Sequence, residues 1–261
     1  MTKAIKRTRF EVWKNVIFAL FLREIKSRFN DKIGLAWTVI QPIMFIIILS
    51  LMRGRLDGGV THSIPTFVFM FFGMSTVLLF MSTMNAVYNS IKKNKALFAF
   101  RQVTPIAAVI SSAFFEMIAY IFIYIIMYMI MYFLKIEIVL FNFLLLLLCV
   151  VSTWLIAISV GLIFALIRSF IPEFDKVKAV IMRPMLFISG VFFSLQDLPR
   201  STWKYFDWNP VLHAIELIRQ AAYPSFGAIG VSLGYLLFLT LTLVCFALAT
   251  YTSLWKMAIS N

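Results

Sequence analysis

Long uncharged apolar runs alternate with short charged segments along this chain. Ile33 to Met52 runs for 20 uncharged residues, Thr66 to Tyr88 for 23, and Ile138 to Ile167 for 30. Val103 to Leu134 covers 32 residues with Glu116 as its one charge, and Ala228 to Leu254 covers 27 with none. About 20 apolar residues suffice for a helix to cross the hydrocarbon of a bilayer. The runs are too uniform for barrel strands, which alternate over about ten residues. Pro184 to Gln196 is uncharged for only 13 residues. Extending it back to Ala179 completes a span at the cost of one interfacial arginine, Arg183. The pattern predicts an all-α polytopic membrane protein with one transmembrane domain and six spans, at 33–52, 66–88, 103–134, 138–167, 179–196 and 228–254. Pro42 should kink the first span.

Before the first span, residues 1–32 are mixed and charged. From Arg9 to Phe29, Phe10, Trp13, Ile17 and Phe21 recur at three- and four-residue steps. That spacing predicts a helix. Lys14, Arg23, Lys26 and Arg28 mark its wet side. A basic amphipathic helix of this kind lies in the membrane interface; a short soluble helix is the alternative. Trp13, Phe21, Arg23, Glu24 and Arg28 are its candidate functional residues.

Between the second and third spans the chain reads NSIKKNKALFAFRQVTP, from Asn89 to Pro105. Lys92, Lys93, Lys95 and Arg101 sit there without an acid. Such a basic gap faces the cytoplasm. Ile91, Leu97, Phe98 and Phe100 do not suit a solvated loop, so a short amphipathic helix over 91–101 is expected. It would lie on the membrane or dock in a partner's groove. A plain basic turn that anchors two helices is the competing reading. Leu97 and Phe98 are expected to fill the groove, with the cations on its rim.

Residues 197–224 are polar but rich in Trp203, Trp208 and Tyr223, and Pro199, Pro210 and Pro224 cut them into short helices. Aromatics of this type favour headgroup depth. A gate of short helices dipping into the outer leaflet is expected. Asn209-Pro210 should start the helix that carries His213, Glu216 and Arg219. Glu216 and Arg219 are three apart and can pair on one face. Two roles remain open: a staple between short helices, or contact of His213 and Arg219 with an anionic linker or acidic sugars.

Charge settles orientation more than partners. The chain holds 24 Lys and Arg against 11 acids, net +13, and is 62% hydrophobic. Under six spans, 17 of the basic residues fall in the expected inside segments and six in the outside ones. Both termini are therefore expected in the cytoplasm. Basic nucleic-acid binders carry their charge on a folded surface, so no nucleic-acid partner is expected. The basic first twelve residues, with no apolar region and cleavage site after them, predict no cleaved signal peptide. Cys149 and Cys245 lie in apolar runs and suggest neither a disulfide framework nor a metal site. His213 with Glu216 lacks further metal ligands, so no metal is expected. No GxxxxGKS or GxxxxGKT word occurs, so nucleotide phosphates have no P-loop here. No catalytic residue is proposed; an intramembrane enzyme would gather acids or histidines at one face. Glu116 is costly at helix depth. It must face protein, a partner or a wet cavity.

The order of parts resembles the permeases of ABC-2-type transporters. LFLREIKSRF at 20–29 with IGLAWTVIQP at 33–42 is similar to the start of span one in polysaccharide exporters. NKALFAFRQVTP at 94–105, followed by Glu116, resembles their coupling segment and third span. PEFDKV at 172–177, RPMLFISGVFFSLQDLP at 183–199 and WNPVLHAIELIRQAAYP at 208–224 closely resemble the inner-membrane permease of group 2 capsular-polysaccharide exporters. Ala36 stands where that pattern has an aromatic. The resemblance implies a homodimeric permease of the bacterial inner membrane with two ATPase subunits, so ATP and Mg belong to the partner and no cofactor to this chain. It implies export of lipid-linked capsular polysaccharide, continued by a periplasmic adaptor or co-polymerase and an outer-membrane channel. Export of O-antigen, teichoic acid, or a lipid or drug is the alternative.

Overall fold

The structure, a computed structural model, describes residues 8–29, 34–100 and 102–260. Those residues form the helices α1 (Arg9–Phe29), α2 (Gly34–Leu56), α3 (Thr66–Asn94), α4 (Pro105–Phe133), α5 (Phe143–Phe170), α6 (Phe174–Met182), α7 (Met185–Ile188), α8 (Pro210–Ala222) and α9 (Leu233–Ser260). Five of them, α2, α3, α4, α5 and α9, are long and apolar enough to cross a membrane.

Helix α3 is the axis. It packs against α2, α4, α5 and α8. From Thr66 to Val77 every residue is buried, as a helix hydrophobic on all sides requires. At 29 residues and a 1.5 Å rise it is roughly 44 Å long, well beyond the ~30 Å hydrocarbon. Its surplus emerges at the basic end. Lipid tails are as apolar as the side chains, so helices in a bilayer associate through close packing and polar contacts. Gly161 on α5 provides the first. A Cβ there would stand 2.8 Å from the Met84 carbonyl oxygen and 2.9 Å from the Val87 Cβ. The Trp154 indole, donating to the Ala113 carbonyl at 3.0 Å, and the Ser75 hydroxyl with that of Tyr124, also at 3.0 Å, provide the second. Gly161→Leu is expected to force α3 and α5 apart at a cost of about 1–3 kcal/mol, the usual range for overpacking. A melting temperature in detergent equal to wild type would contradict that contact.

Besides later starts for two spans, α5 at Phe143 rather than 138 and α9 at Leu233 rather than 228, three regions differ from the hydrophobic pattern. The segment 91–101 is not a separate amphipathic helix. Nothing between Tyr88 and Asn94 breaks a helix, so α3 continues through Ile91, Lys92, Lys93 and Asn94, and only Lys95–Ala99 form a short 3-10 turn. Thr104-Pro105 then restarts the chain as α4, with proline at the first helical position, where its missing N–H is harmless.

The expected fifth span, 179–196, is not one helix. Helix α6 begins earlier and ends at Met182, and α7 stops at Ile188. Arg183 and Pro184 keep helical dihedrals between them, so 174–188 forms a bent rod of roughly 22 Å, short of the hydrocarbon thickness. Gly190, at φ +72°, turns the chain out of it. The third difference lies between α2 and α3. There β1 (Val60–Thr61) and β2 (Ile64–Pro65) form a hairpin. Its two turn residues, His62 and Ser63, have φ of 49° and 63°, the signature of a type I′ turn.

Helix α1 lies across α4 and α2. Leu20 packs with Ala107 and Ala108 in a small second core, flanked by Val16, Ile17, Leu97, Phe98 and Val103. Helices α2 and α9 are covered least: most of their apolar surface faces outward.

Candidate functional site

The structure separates the candidate residues into two ends of the bundle. At the end opposite the basic loops, α8 is inserted among α3, α5 and α9. Asn209 starts it: its side-chain oxygen accepts from the Val211 amide at 3.0 Å, with Pro210 at the first helical position. The same side chain donates to the Ser189 hydroxyl at 3.1 Å, tying α8 to the end of α7. Every residue from Val211 to Arg219 is buried.

Arg219 and Glu216 are both 0% exposed and pair at 3.1 Å. The guanidinium also donates to the carbonyls of Phe69 at 3.3 Å, Val191 at 3.0 Å and Phe193 at 3.4 Å. It lies 3.4 Å from the centroid of the Phe69 ring. Glu216 uses its second oxygen to accept from the Ser194 hydroxyl at 2.8 Å. A buried ion pair is tolerable only when its remaining donors and acceptors are met, and here they are. Gly73 makes the room, since a Cβ there would lie 2.7 Å from Nη2 of Arg219. The pair therefore bolts α8 to α3 and to the turn after α7. Of the two roles left open, the staple is the one that this geometry supports for Arg219. Arg219 is enclosed on every side and its donors are taken by backbone.

His213 is turned away from the pair. Its Nδ1 accepts from the Ser232 amide at 3.0 Å, which leaves Nε2 to donate to the Asp207 carbonyl at 2.7 Å. This bond pattern assigns the neutral tautomer. Burial pushes its pKa below the ordinary value near 6.5. The unfolded chain then takes up the proton first as pH falls, so folded stability drops below about pH 6.5. His213→Gln is expected to flatten this acid limb in a melting-temperature series from about pH 8 to pH 5.5. Parallel curves for variant and wild type would contradict the assignment.

Trp203 donates its indole N–H to the Leu198 carbonyl at 3.0 Å and lies against Gly230, where a Cβ would meet its ring at 2.5 Å. Trp208 is 57% exposed and donates to the Tyr205 carbonyl at 2.8 Å. The pattern missed Gly73, Ser194, and His62, which bonds Asp197 at 2.7 Å. Ser194 carried a signal: Ser-Leu-Gln-Asp at 194–197 is a capping-box word, and both of its bonds form.

At the basic end the candidates divide. Lys93 reaches both oxygens of Glu24 on α1 at 2.8 Å. Arg23 donates to Asn94. Arg23 and Glu24 thus clamp α1 to the end of α3 rather than facing water. Leu97 and Phe98 are half-buried against α1 and α4, so only part of each side chain is left for a partner's groove. The exposed aromatic is Phe100, at 64%, beside exposed Lys92 and Lys95. Arg101 lies outside the described residues. On α1, Trp13 sits at the surface beside Phe10, their ring centroids 6.3 Å apart, and Phe21 is half-buried. The Arg28 side chain lies outside the described residues.

Next to this face, Tyr88 donates to Asp175 at 2.7 Å while Arg168 and Lys178 lie over its ring. The Tyr88 hydroxyl, with Arg168 behind it, holds the Asp175 carboxyl below its ordinary pKa. Glu116 is buried, against a cavity shared by α2, α3 and α4.

The sequence profile of the ABC-2 type transporter family covers residues 15–223. The chain belongs to that family. This ABC-2 chain is a membrane subunit of a transporter, and ATP hydrolysis lies with a separate subunit. It is 34% identical over 250 residues to the polysialic acid transport protein KpsM of Escherichia coli, covering 94% of this chain and 95% of that one. It is 24% identical to the capsule polysaccharide export inner-membrane protein CtrC of Neisseria meningitidis serogroup B, over 97% and 98% of the two chains. It is 23% identical to the capsule polysaccharide export inner-membrane protein BexB of Haemophilus influenzae, over 89% and 88%.

Proposed function

We propose that this ABC-2 permease exports lipid-linked capsular polysaccharide from cytoplasm to periplasm across a bacterial inner membrane. The observation that carries the reading is similarity over nearly the whole chain to three permeases named for polysialic acid or capsule export. The basic end, with Lys92, Lys95 and Phe100, faces the cytoplasm and receives the ATPase; the α8 end faces the periplasm. Both termini are cytoplasmic. Two copies meet along the uncovered flanks of α2 and α9, and two ATPase subunits bind beneath them. A periplasmic adaptor and an outer-membrane channel continue the route. The bolted α8 assembly is the rigid outer part of the path, and the aromatic surface around Trp208 meets the headgroups.

Deleting the gene in an encapsulated host is the test. Polysaccharide is expected to accumulate inside the cell and disappear from the surface, with both reversed on complementation. Normal surface polysaccharide in the deletion strain overturns the reading.

A further inference from the structure

Between α5 and α8 the rod 174–188 recrosses the bundle, and both of its ends can be placed against α3. At the basic end Asp175 accepts from Tyr88 at 2.7 Å and Lys178 donates to Asn85 at 2.6 Å. At the other end Arg219 bonds the carbonyls of both Val191 and Phe69. Tyr88 and Phe69 are nineteen residues apart on α3, roughly 28 Å. Arg183 is eight residues past Asp175 and eight before Val191. It therefore stands about halfway along a crossing nearly as long as the ~30 Å hydrocarbon is thick.

Two observations there point the same way. Arginine at this depth is costly unless it meets an anion, a carbonyl or water. Snorkelling serves arginines near helix ends, and Arg183 is far from both ends of the crossing. It is exposed, and among the described residues nothing takes its guanidinium. Second, α6 ends at Met182 and α7 begins at Met185, so the hydrogen-bond ladder breaks at Arg183 and Pro184, both exposed. Pro184 has no N–H for the Val180 carbonyl four residues back. Broken backbone at membrane depth is tolerated only where protein covers it or it lines a wet path. Helix α6 rests on α5 and α7 on α3, which leaves this face open. The contact proposed between copies uses α2 and α9, not this rod.

Lys176, Val180, Arg183 and Phe187 fall at steps of four, three and four, one face of the rod, and all are exposed. Phe187 stacks on Phe192, ring centroids 5.8 Å apart, one turn beyond the guanidinium. A fork that pairs with carboxylate or phosphate, beside a ring that suits the CH face of a sugar, fits an acidic glycan. We propose that Arg183 binds a carboxylate or phosphate of the exported molecule midway across the membrane. The proposal deepens the export reading and rests on it for the source of the anion.

The test is thiol labelling of the full chain in phosphatidylcholine nanodiscs. Cys245→Ala removes the exposed thiol on α9. Val180→Cys, at an exposed position, puts a reporter one turn from Arg183. The reagent is the anionic sulfonatoethyl methanethiosulfonate. The reporter is expected to react, whereas Phe122→Cys, exposed among apolar neighbours on α4, is not. Trigalacturonate is expected to halve the reporter's rate at about a tenfold lower concentration than neutral maltotriose, the effect of one charge-assisted hydrogen bond. Arg183→Gln, which removes no described contact, should bring the two concentrations together. Arg183→Lys should keep part of the difference. Protection by trigalacturonate assigns the anion to the glycan, and protection by glucose 1-phosphate alone assigns it to a phosphate linker; either supports the site. An unreactive reporter overturns the proposal, and so does a difference that survives Arg183→Gln. Protection that comes only from phosphatidylglycerol in the nanodisc overturns it too, because the anion is then a membrane lipid. The export reading fails separately: a deletion strain that keeps its surface polysaccharide, while protection still depends on Arg183, sinks export and leaves the anion site standing.

Discussion

Arg219→Leu is expected to cost about 3–5 kcal/mol of folded stability, the range for removing one partner of a buried pair. It strands the Glu216 carboxylate with only the Ser194 hydroxyl, and it strips the carbonyls of Phe69, Val191 and Phe193 of their donor. For a chain of this length the melting temperature in detergent should fall on the order of 10 °C. A change within about two degrees, inside the span expected of surface substitutions, would show that the pair is dispensable. Glu216→Leu should cost a similar amount. Removing both should cost less than the sum, because neither charge is then left alone. Charge reversal, Glu216→Arg with Arg219→Glu, should not rescue either single change. A simple staple would tolerate the swap. Here a carboxylate at 219 would face three backbone carbonyls, and Gly73 leaves room only for the guanidinium.

Phe100→Asp is expected to release the ATPase subunit and stop export while the permease still inserts and folds. Phe100 is the large exposed aromatic on the face between Lys95 and α4. Burying such an anchor in a partner is typically worth 2 kcal/mol or more, about thirtyfold in affinity. Lys95→Glu should add to the effect by reversing a rim charge, with most of its influence on the association rate. Leu97→Asp is the less informative change. Leu97 belongs to the small core with Leu20 and Ala107, so an aspartate there loosens α1 itself. Recovery of the ATPase with the tagged permease, alongside melting temperature, separates docking from folding. Full recovery with Phe100→Asp would move the docking face elsewhere.

Much of this fold was legible in the hydrophobic pattern. Five apolar runs, four of them uncharged and one holding Glu116 alone, became five long helices, and Arg9–Phe29 emerged as α1. Asn209-Pro210 was readable as a helix start because a capping amide and a first-position proline are local signals. Local signals also explain what was misplaced. Lys92 and Lys93 look like a loop because they are charged, yet charge does not end a helix, and α3 runs past the membrane through them. The 179–196 run looked like a span because Pro184 and Gly190 do not change its hydropathy, although Gly190 turns the backbone. The hairpin at 60–65 lacks the Asn-Gly word that marks such turns.

At the candidate site, chemistry was readable and partnership was not. Glu216 and Arg219 are visibly spaced to pair. That Arg219 would also bind the Phe69 carbonyl, 150 residues away, depends on Gly73 letting α3 approach. No spacing within α8 carries that information. The same holds for Lys93 and Glu24, 69 residues apart. Phe98 and Phe100 carry the same ring two residues apart, and only the position of α1 decides which one is covered.

Transport itself can be observed in inverted membrane vesicles holding the permease and its ATPase. Lipid-linked capsular polysaccharide is supplied outside, and the fraction protected from an added polysaccharide-degrading enzyme is measured with and without ATP. ATP-dependent protection is expected with the wild-type chain, none with ADP, and none with Phe100→Asp. Vesicles in which the ATPase is bound and hydrolysing ATP, yet no polysaccharide becomes protected, would contradict export by this chain.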